Sequence, residues 1–484
     1  MTRLNHYVTK FSITRVFTLV LSSILLTDKA IATPINNYQD PVVFHTVMGS
    51  DKFYSPTGKA GFALHLSPFY QHTHSANKPE GTKTSDGNIW GAWNMAGIFL
   101  NDNPRPLTQP MPFYGATKTI LRNLATESNT LPYSKDYTLE ARFNPDEEAY
   151  KALYFQNVDL KYEKMGLRSQ INFDLGVGLG VSVKGGIANL KNRPSHFALE
   201  AKFGTEAGIT PADSTNPATV EPAAKIQATK IYENLMGENA RRQLFKELGF
   251  DTSETNITDL EDLYGNVYWH IPIKMREKGE HTFSVIPYLS VGASLPMGKE
   301  RKMNTLYPVI NSNDGFAGLT AEGAIGLDFP DMMQLSFGGG ITMFNSRDFT
   351  KVHVPTSEFQ SGIYPWTTSI SRQPGALWYA NVSMKADNIM SKRDIPNFSC
   401  YFDYIYAEHR HDSIKIKEPN PATKQYFRPD LLERDSSWKA QMVHAGIKFG
   451  LSKNVYLATA VQATVGGSRT YRPTTLLGSL IMSF

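Results

Sequence analysis

The stretch at residues 166–186, "GLRSQINFDLGVGLGVSVKGG", alternates apolar and polar side chains. Apolar residues occupy most odd positions from Leu167 to Val183, and the polar positions begin at Arg168. A period of two predicts a β-strand with one apolar and one polar face. The run is too long for one membrane-crossing strand of about 9–11 residues. We therefore expect a reversal at residues 176–178, where a three-residue loop keeps the apolar face continuous.

Similar stripes recur from Gly61 to Phe484. The apolar positions change parity between Tyr162 and Leu167, which predicts an even-length turn at residues 163–166. Because single-chain bacterial barrels usually have an even number of strands, the pattern predicts fourteen strands, with sixteen as the second choice. Fifteen candidate strands fit the pattern, near residues 60–71, 88–100, 152–163, 167–175, 179–188, 195–203, 265–276, 282–296, 315–329, 334–345, 376–387, 397–410, 438–451, 455–465 and 471–484.

The connections between these candidates alternate in length. Short connections lie at residues 330–334, 387–396 and 452–454, and longer polar ones lie at 204–264, 297–315, 346–374 and 411–437. A soluble sandwich gives no reason for this asymmetry. The sequence therefore predicts an all-β fold, a transmembrane antiparallel β-barrel with short periplasmic turns and long extracellular loops.

The N-terminal segment has the features of a secretory signal. Arg3, Lys10 and Arg15 precede the apolar run Val16–Leu26, and Ala30-Ile31-Ala32 fits a small-residue cleavage site. We expect cleavage near Ala32, which lowers the formal net charge from +4 to about +1 because residues 1–32 hold four basic residues and one acidic residue. A nearly neutral mature chain does not favour a nucleic-acid partner. A single cysteine excludes an internal disulfide framework.

The C-terminal sequence "TLLGSLIMSF" ends in an alternating apolar stripe that includes Leu480, Met482 and Phe484. The chain resembles Gram-negative outer-membrane β-barrel proteins of the porin-like kind, which typically finish on a strand with a terminal aromatic residue. The resemblance implies an outer-membrane location, contact with its lipids and recognition by the barrel-assembly machinery. The expected organisation is a signal peptide at 1–32, an extension at 33–57 and the barrel at 58–484. Trimers are common in such families, so the resemblance is compatible with an oligomer.

The polar parity of the strands is expected to line the lumen. Acidic and basic residues are nearly balanced there, so we predict passive diffusion of small hydrophilic solutes, and the sequence leaves the charge preference open. The lumen-lining candidates are Asp159, Lys161, Glu163, Arg168, Asp174, Lys274, Glu322, Asp328, Lys385, Asp403, His444 and Lys448.

Two inserts have helical patterns. The loop at 204–264 contains Ala223–Leu248, whose apolar residues recur at mainly helical intervals, and residues 114–125 form a shorter amphipathic piece. Either insert would constrict the pore or shield its rim, and the sequence does not decide between these roles.

Particular residues suggest other functions. His409 and His411 lie two apart at a strand end, which fits a metal pair, but two ligands do not make a site and exposed loop-edge histidines are the preferred interpretation. No legible nucleophile motif supports a membrane-embedded hydrolase. An adhesin or structural surface barrel is the main alternative, because tyrosine- and tryptophan-bearing loops fit it. No catalytic, cofactor or metal site is predicted.

Overall fold

The computed structural model describes residues 60–73, 75–89, 93–94, 153–176, 178–201, 245–246, 249–277, 280–298, 313–329, 333–356, 360, 362–364, 366–386, 398–452 and 454–484. The predicted signal peptide, the extension at 33–57 and the helix at 114–125 lie outside these residues. No helix within them is long and apolar enough to cross a membrane.

Twelve antiparallel strands form one closed sheet. Each strand pairs with its neighbours along the chain, and the last pairs with the first, so the sheet has no free edge. The strands are β1 (Ala60–Thr73), β2 (Leu153–Gly176), β3 (Leu179–Ala201), β4 (Leu263–His270), β5 (Glu280–Leu295), β6 (Gly318–Phe329), β7 (Met333–Phe344), β8 (Leu377–Ala386), β9 (Phe398–His409), β10 (Trp438–Gly450), β11 (Val455–Ser468) and β12 (Thr474–Ser483).

The terminal residue completes the closure between β12 and β1. The Phe62 amide donates to the Phe484 carbonyl at 3.0 Å, and the Phe484 amide donates to the Phe62 carbonyl at 2.7 Å. The two rings stack with centroids 6.0 Å apart. Phe484 is 70% exposed on the outer face, where the alternation of "TLLGSLIMSF" places it together with Leu480 and Met482.

Within the described residues the closed sheet has twelve strands where the sequence predicts fourteen or sixteen, and three of the fifteen candidates account for the difference. Candidates 152–163 and 167–175 are one strand, β2, and candidates 179–188 and 195–203 are one strand, β3. Within candidate 88–100, the described strand is only Trp93–Asn94, which follows the 3₁₀ turn Asp86–Asn88. The change of parity between Tyr162 and Leu167 therefore does not mark a turn at residues 163–166. Instead Leu160 and Tyr162 are buried on the interior face of β2.

The wall strand that follows β3 is broken twice. The strand Thr255–Leu260 pairs with residues 187–192 of β3, β4 pairs with residues 179–184 of β3, and the strand Ile273–Glu277 pairs with the start of β5. The expected loop at 204–264 therefore ends earlier, because its last residues belong to the wall. Of its expected helix, only Phe245 and Lys246 are described, and both are helical.

The outer and inner faces of the barrel have opposite chemistry. Outward-facing apolar side chains include Leu319 (70% exposed), Val291 (65%), Leu289 (59%) and Phe337 (52%). Small and polar side chains alternate with them and face the interior. This arrangement inverts a soluble domain and matches a barrel that meets lipid on its outside.

Tryptophan and tyrosine side chains, whose amphipathic rings suit a membrane boundary, divide between the outside of the barrel and buried positions. Trp378 and Tyr406 contact each other on the outer face with ring centroids 5.2 Å apart. Trp366, Tyr401 and Trp438 are buried instead, at 3–4% exposure. Strand parity explains Tyr401 and Trp438, which lie on the interior parity of β9 and β10.

A second unit, the cap, stands at the end of the barrel where the long loops lie. We define it as the three-stranded sheet Arg347–His353, Thr367–Gln373 and Ser413–Ile416 together with helices α1 (Pro421–Lys424) and α2 (Pro429–Ser436). Buried apolar residues fill it, among them Phe349, Val352, Ile370 and Leu432. A smaller sheet of Ala76–Asn77, Lys83–Thr84 and Thr470–Tyr471 lies at the same end.

Candidate functional site: the lumen face

A continuous row of polar side chains crosses eight neighbouring strands on the interior face. Each residue is the direct cross-strand partner of the next, so we call this set the polar row. It consists of Ser336, Ser383, Asp403, His444, Gln462, Thr475, Gln71 and Lys164, from β7 through β12 to β1 and β2.

Hydrogen bonds join neighbours within the polar row. His444 Nδ1 lies 3.2 Å from Asp403 Oδ2, and Gln71 Nε2 donates to Thr475 Oγ1 at 2.9 Å. Ser383 lies on the side of Asp403 away from His444. The order serine, aspartate, histidine does not place a hydroxyl beside the imidazole, so the row lacks the geometry of a nucleophile activated by a histidine base.

The structure places the predicted lumen residues in three groups. Lys161 and Glu163 lie on the outward parity of β2, because the strand continues through the expected turn, and this corrects their assignment. Asp159 lies beside a register shift in β2, so strand parity does not assign it to a face. Lys274 is exposed, although its cross-strand partner Ser284 on β5 faces inward. The residues on the interior parity are Arg168, Asp174, Glu322, Asp328, Lys385, Asp403, His444 and Lys448.

A buried ionic cluster occupies the first break in the wall strand. The Glu261 amide donates to the Gly186 carbonyl at 2.8 Å, which brings its carboxylate inward. Arg168 donates to both carboxylate oxygens at 2.7 and 2.8 Å, and Lys164 Nζ lies 2.6 Å from Oε1. The Arg168 guanidinium also lies 3.9 Å from the centroid of the Phe69 ring. We call Lys164, Arg168 and Glu261 the ionic cluster.

Gly186 makes room for this cluster. A Cβ atom at that position would lie 2.5 Å from Glu261 Oε2 and 3.0 Å from Arg168 Cγ, so a larger residue would displace the carboxylate. The sequence contains a signal for the two cations, since Lys164 and Arg168 share one strand parity. It contains none for Glu261, because nothing in a loop sequence indicates that one carboxylate turns inward.

A polar cavity adjoins the ionic cluster. The space in it that a water molecule can occupy is about 20 Å³, so it is a small cavity. Lys184 approaches the Tyr264 ring there, with Nζ 5.7 Å from the ring centroid. The side chains that line it around Arg168 and Glu261 include His65, Ser67, Gln170, Lys184, Asp262 and Tyr264.

The chain after β1 folds back into the barrel. Ile89 and Ala76 share one buried apolar cluster with the barrel residues Phe69, Leu190 and Leu477. Asp86 precedes Ile89 and is 1% exposed, and burial, followed by the charge of Asp159, raises the pKa of its carboxyl to about 8. This segment, residues 75–89, therefore narrows the interior. The sequence pointed to 114–125 and 204–264 for such a role.

His409 and His411, the two histidines that fit a metal pair by spacing, have different surroundings. His409 is 1% exposed and stacks on Trp438 with centroids 5.9 Å apart, so its preferred assignment as an exposed loop-edge residue is wrong. His411 is exposed. Within the described part of the chain, no group of three or more histidine, cysteine, aspartate or glutamate side chains is arranged to hold a metal ion.

A closed antiparallel sheet, apolar outside and polar inside, defines a transmembrane β-barrel. The fold-level resemblance to outer-membrane β-barrel proteins is thereby confirmed. No protein-family model and no curated protein matches the sequence.

Three solved structures are similar to this chain at low identity. An outer-membrane channel from Pseudomonas putida F1 has a TM-score of 0.45 at 8% identity, with 91% of this chain and all of that chain covered. The β domain of the Bordetella autotransporter BrkA gives 0.35 at 8% identity, covering 88% of this chain and all of that one. The monoaromatic hydrocarbon channel CymD gives 0.30 at 6%, covering 95% and 99%.

Proposed function

We propose that this protein is an outer-membrane channel through which small hydrophilic solutes diffuse passively. The observation that carries the proposal is the polar row, which crosses eight adjacent strands inside a barrel with an apolar outer face. A barrel with a purely structural role would have no need of such a lining, and a polar lumen is where channel selectivity is set.

The chemistry of the interior favours a hydrated path. In the polar row, His444 Nε2 and Asp403 Oδ1 have no hydrogen-bond partner among the described residues, although each residue is only 2% exposed. Leaving such groups without a partner costs free energy, and buried polar atoms are ordinarily satisfied by water. Water along the row would both satisfy them and solvate a passing solute.

The path is expected to be narrow. Tyr162, Tyr288, Tyr379 and Tyr401 all face the interior and are at most 4% exposed, and residues 75–89 fold in from the loop end. We therefore expect small solutes, a low unit conductance, the cap on the extracellular side and the short turns in the periplasm. Secretion through a signal at residues 1–32 and assembly through Leu480, Met482 and Phe484 belong to the same proposal.

The test is single-channel recording from the refolded mature chain in planar lipid bilayers. The proposal predicts steady conductance that falls when Asp403 and His444 are both changed to leucine. Val443→Leu on the outer face of the same strand is the matched control and should leave conductance unchanged. A heat-modifiable, folded barrel that is silent under all conditions would overturn the channel function.

A surface-binding role is the second candidate, and the cap favours it. A folded sheet with its own buried core at the loop end is more elaborate than a pore rim needs. A silent barrel whose cap binds cells or matrix would support this function. That the protein is not an enzyme stays a prediction.

A further inference from the structure

We propose that the cap is a lid across the mouth of the barrel, and that an aromatic joint on the far rim holds this lid closed. The aromatic joint consists of Phe250 and Trp93 on the barrel side, and of His353 and Gly362 on the cap side. The inference deepens the proposed channel function and rests on it, because it names the element that controls how solutes enter the lumen.

The near side of the lid is continuous with the barrel wall. Its strands and α2 join β7, β8, β9 and β10 through segments of only one to three residues, which lie between Phe344 and Arg347, Gln373 and Leu377, His409 and Ser413, and Ser436 and Trp438. These four barrel strands are consecutive neighbours in the closed sheet. The near rim therefore holds the cap by the chain itself, and the cap cannot separate from the wall there.

A buried ionic contact strengthens the near side. Arg372 in the cap donates to the Asp412 carboxylate at 2.6 Å and to the Asp314 carboxylate at 3.2 Å. Asp412 follows β9 and Asp314 precedes β6, so one guanidinium joins the cap to two barrel loops. All three side chains are at most 7% exposed. Separating charges that are buried together leaves each without its partner, which disfavours opening at this rim.

The far side of the lid meets the barrel through packing contacts. The His353 ring stacks on Phe250 with centroids 4.2 Å apart, and both residues are at most 4% exposed. Phe250 lies five residues before the wall strand Thr255–Leu260, which pairs with β3. A Cβ atom at Gly362 would lie 2.4 Å from Trp93 Cγ, so the cap backbone lies directly against the indole. Trp93 in turn pairs with the start of β2.

The near and far rims lie opposite each other. In the closed ring of twelve strands, β2 is six strands from β8, and β3 is six strands from β9. Twelve strands about 4.8 Å apart and tilted by about 40° form a barrel roughly 24 Å wide. The cap strand Arg347–His353 begins beside β7 and extends roughly 20 Å over its seven residues. Its length and its contacts at both ends place the cap across the mouth.

The two sides of the lid differ in what must be broken to open them. The near side is held by four chain connections and a buried ionic contact, whereas the far side is held by one ring stack and one contact between a glycine and an indole. Opening therefore pivots on the near rim and separates the aromatic joint. An open joint uncovers the mouth and gives solutes access to the polar row.

The first test is the single-channel conductance of the refolded mature chain in planar lipid bilayers. Phe250→Ala removes one ring of the joint and should raise the conductance at least twofold. Gly362→Ala should have the same effect, because the added methyl group collides with Trp93 and the φ of +77° suits glycine. Tyr426→Ala removes a cap side chain that is 41% exposed, and this matched control should leave the conductance unchanged.

The second test follows the lid without requiring a current. Spin labels on Lys351→Cys in the cap and Ser452→Cys in the turn between β10 and β11 report the height of the lid above the opposite end of the barrel. The background is Cys400→Ser, which removes the only native cysteine. Pulsed electron paramagnetic resonance in lipid vesicles should give one narrow distance distribution for the unaltered joint. Phe250→Ala should add longer distances, and Tyr426→Ala should not.

The two measurements together decide the proposal. Unchanged distances in both Phe250→Ala and Gly362→Ala would show that the joint does not hold the cap. Longer distances with unchanged conductance would show that the cap does not control entry. If all forms are silent while the distances lengthen in Phe250→Ala, the lid stands and the channel function fails. If all forms conduct equally at unchanged distances, the channel function stands and the lid fails.

Discussion

The barrel wall and the cap use the same apolar residues in opposite directions. Phe402 on β9 is 42% exposed on the outside of the wall, whereas Phe349 in the cap is 2% exposed inside a small core. In the wall, polar side chains face inward and apolar ones face outward, as is required of a protein surrounded by lipid. In the cap, apolar side chains face inward, as is required of a protein surrounded by water. The solvent around each region explains its pattern, so perturbations should act differently in the two.

The largest effect is expected in the core of the cap. Phe349→Ala should lower the free energy of unfolding of the cap by about 3–5 kcal/mol, because it removes a buried ring and leaves a cavity. The measurement is limited proteolysis of residues 347–373 against denaturant, beside the heat-modifiability of the barrel. If the barrel loses stability by the same amount, the cap is not a separate unit and the comparison is broken.

Acid should separate the two regions next. His353 stacks on Phe250 with centroids 4.2 Å apart, its Nδ1 lies 2.7 Å from the Tyr364 carbonyl oxygen, and burial lowers its pKa to about 4. In the unfolded cap the His353 imidazole has its ordinary pKa of about 6.5 and binds a proton below that pH. In the folded cap it binds the proton only near pH 4, so the free energy of unfolding falls as the pH is lowered from about 6.5 toward 4. The free energy of unfolding of the cap falls by about 3 kcal/mol in total, and about 2 kcal/mol of this fall is reached near pH 5.

The denaturant midpoint of the cap at about pH 7 and pH 5 measures this loss. His353→Gln should be less stable at neutral pH but lose little more between these values. The pKa of Asp348 is lowered by its hydrogen bond from Lys417, so that carboxylate titrates at lower pH and does not confuse the window. A pH response that survives in His353→Gln would assign the sensitivity to another group.

A matched pair of substitutions compares the solvents themselves. Phe402 on the wall and Tyr426 beside the cap helices are almost equally exposed, at 42% and 41%. Phe402→Arg should cost about 2 kcal/mol of folding free energy in lipid vesicles, since arginine on a lipid face costs roughly 2–4 kcal/mol at the midplane and less toward the interface. Tyr426→Arg should cost almost nothing, because water surrounds it. Equal effects would contradict lipid as the medium around β9.

The alternation predicted the wall well because one physical rule acts on every spanning residue. The strands from β5 to β12 fall close to their predicted limits, and the expected stripes face outward. The rule fails in the upper part of β2: Leu160 and Tyr162 are apolar but buried on the interior face, and Tyr162 shares a buried cluster with Ala76 and Ile89. An apolar residue in such a stretch can pack either against lipid or against other protein residues, and periodicity does not distinguish these two surroundings.

The candidate site was only partly predictable for the same reason. The interior positions of Asp403 and His444 follow from parity alone, and their pairing follows from register. The ionic cluster does not, because Lys164 was assigned to a turn and Glu261 to a long loop. Contacts between a strand and a distant break in another strand depend on the closed shape of the sheet, which local pattern does not specify.

The smallest effect should come from the rim of the wall. Lys439 Nζ lies 3.6 Å from Glu408 Oε2 on the outer face, with the lysine side chain 54% exposed, whereas the Lys164 side chain within the ionic cluster is 1% exposed. Lys439→Ala should change barrel stability by less than about 1 kcal/mol, because water screens exposed ion pairs and ordering two long side chains costs entropy. That small change should vanish in about 1 M salt, where the screening length is near 3 Å. Urea midpoints of both proteins in vesicles at low and high salt measure it. A large loss of barrel stability that persists in high salt would mean that this part of β10 lies in lipid. The boundary between lipid and water would then lie beyond Lys439.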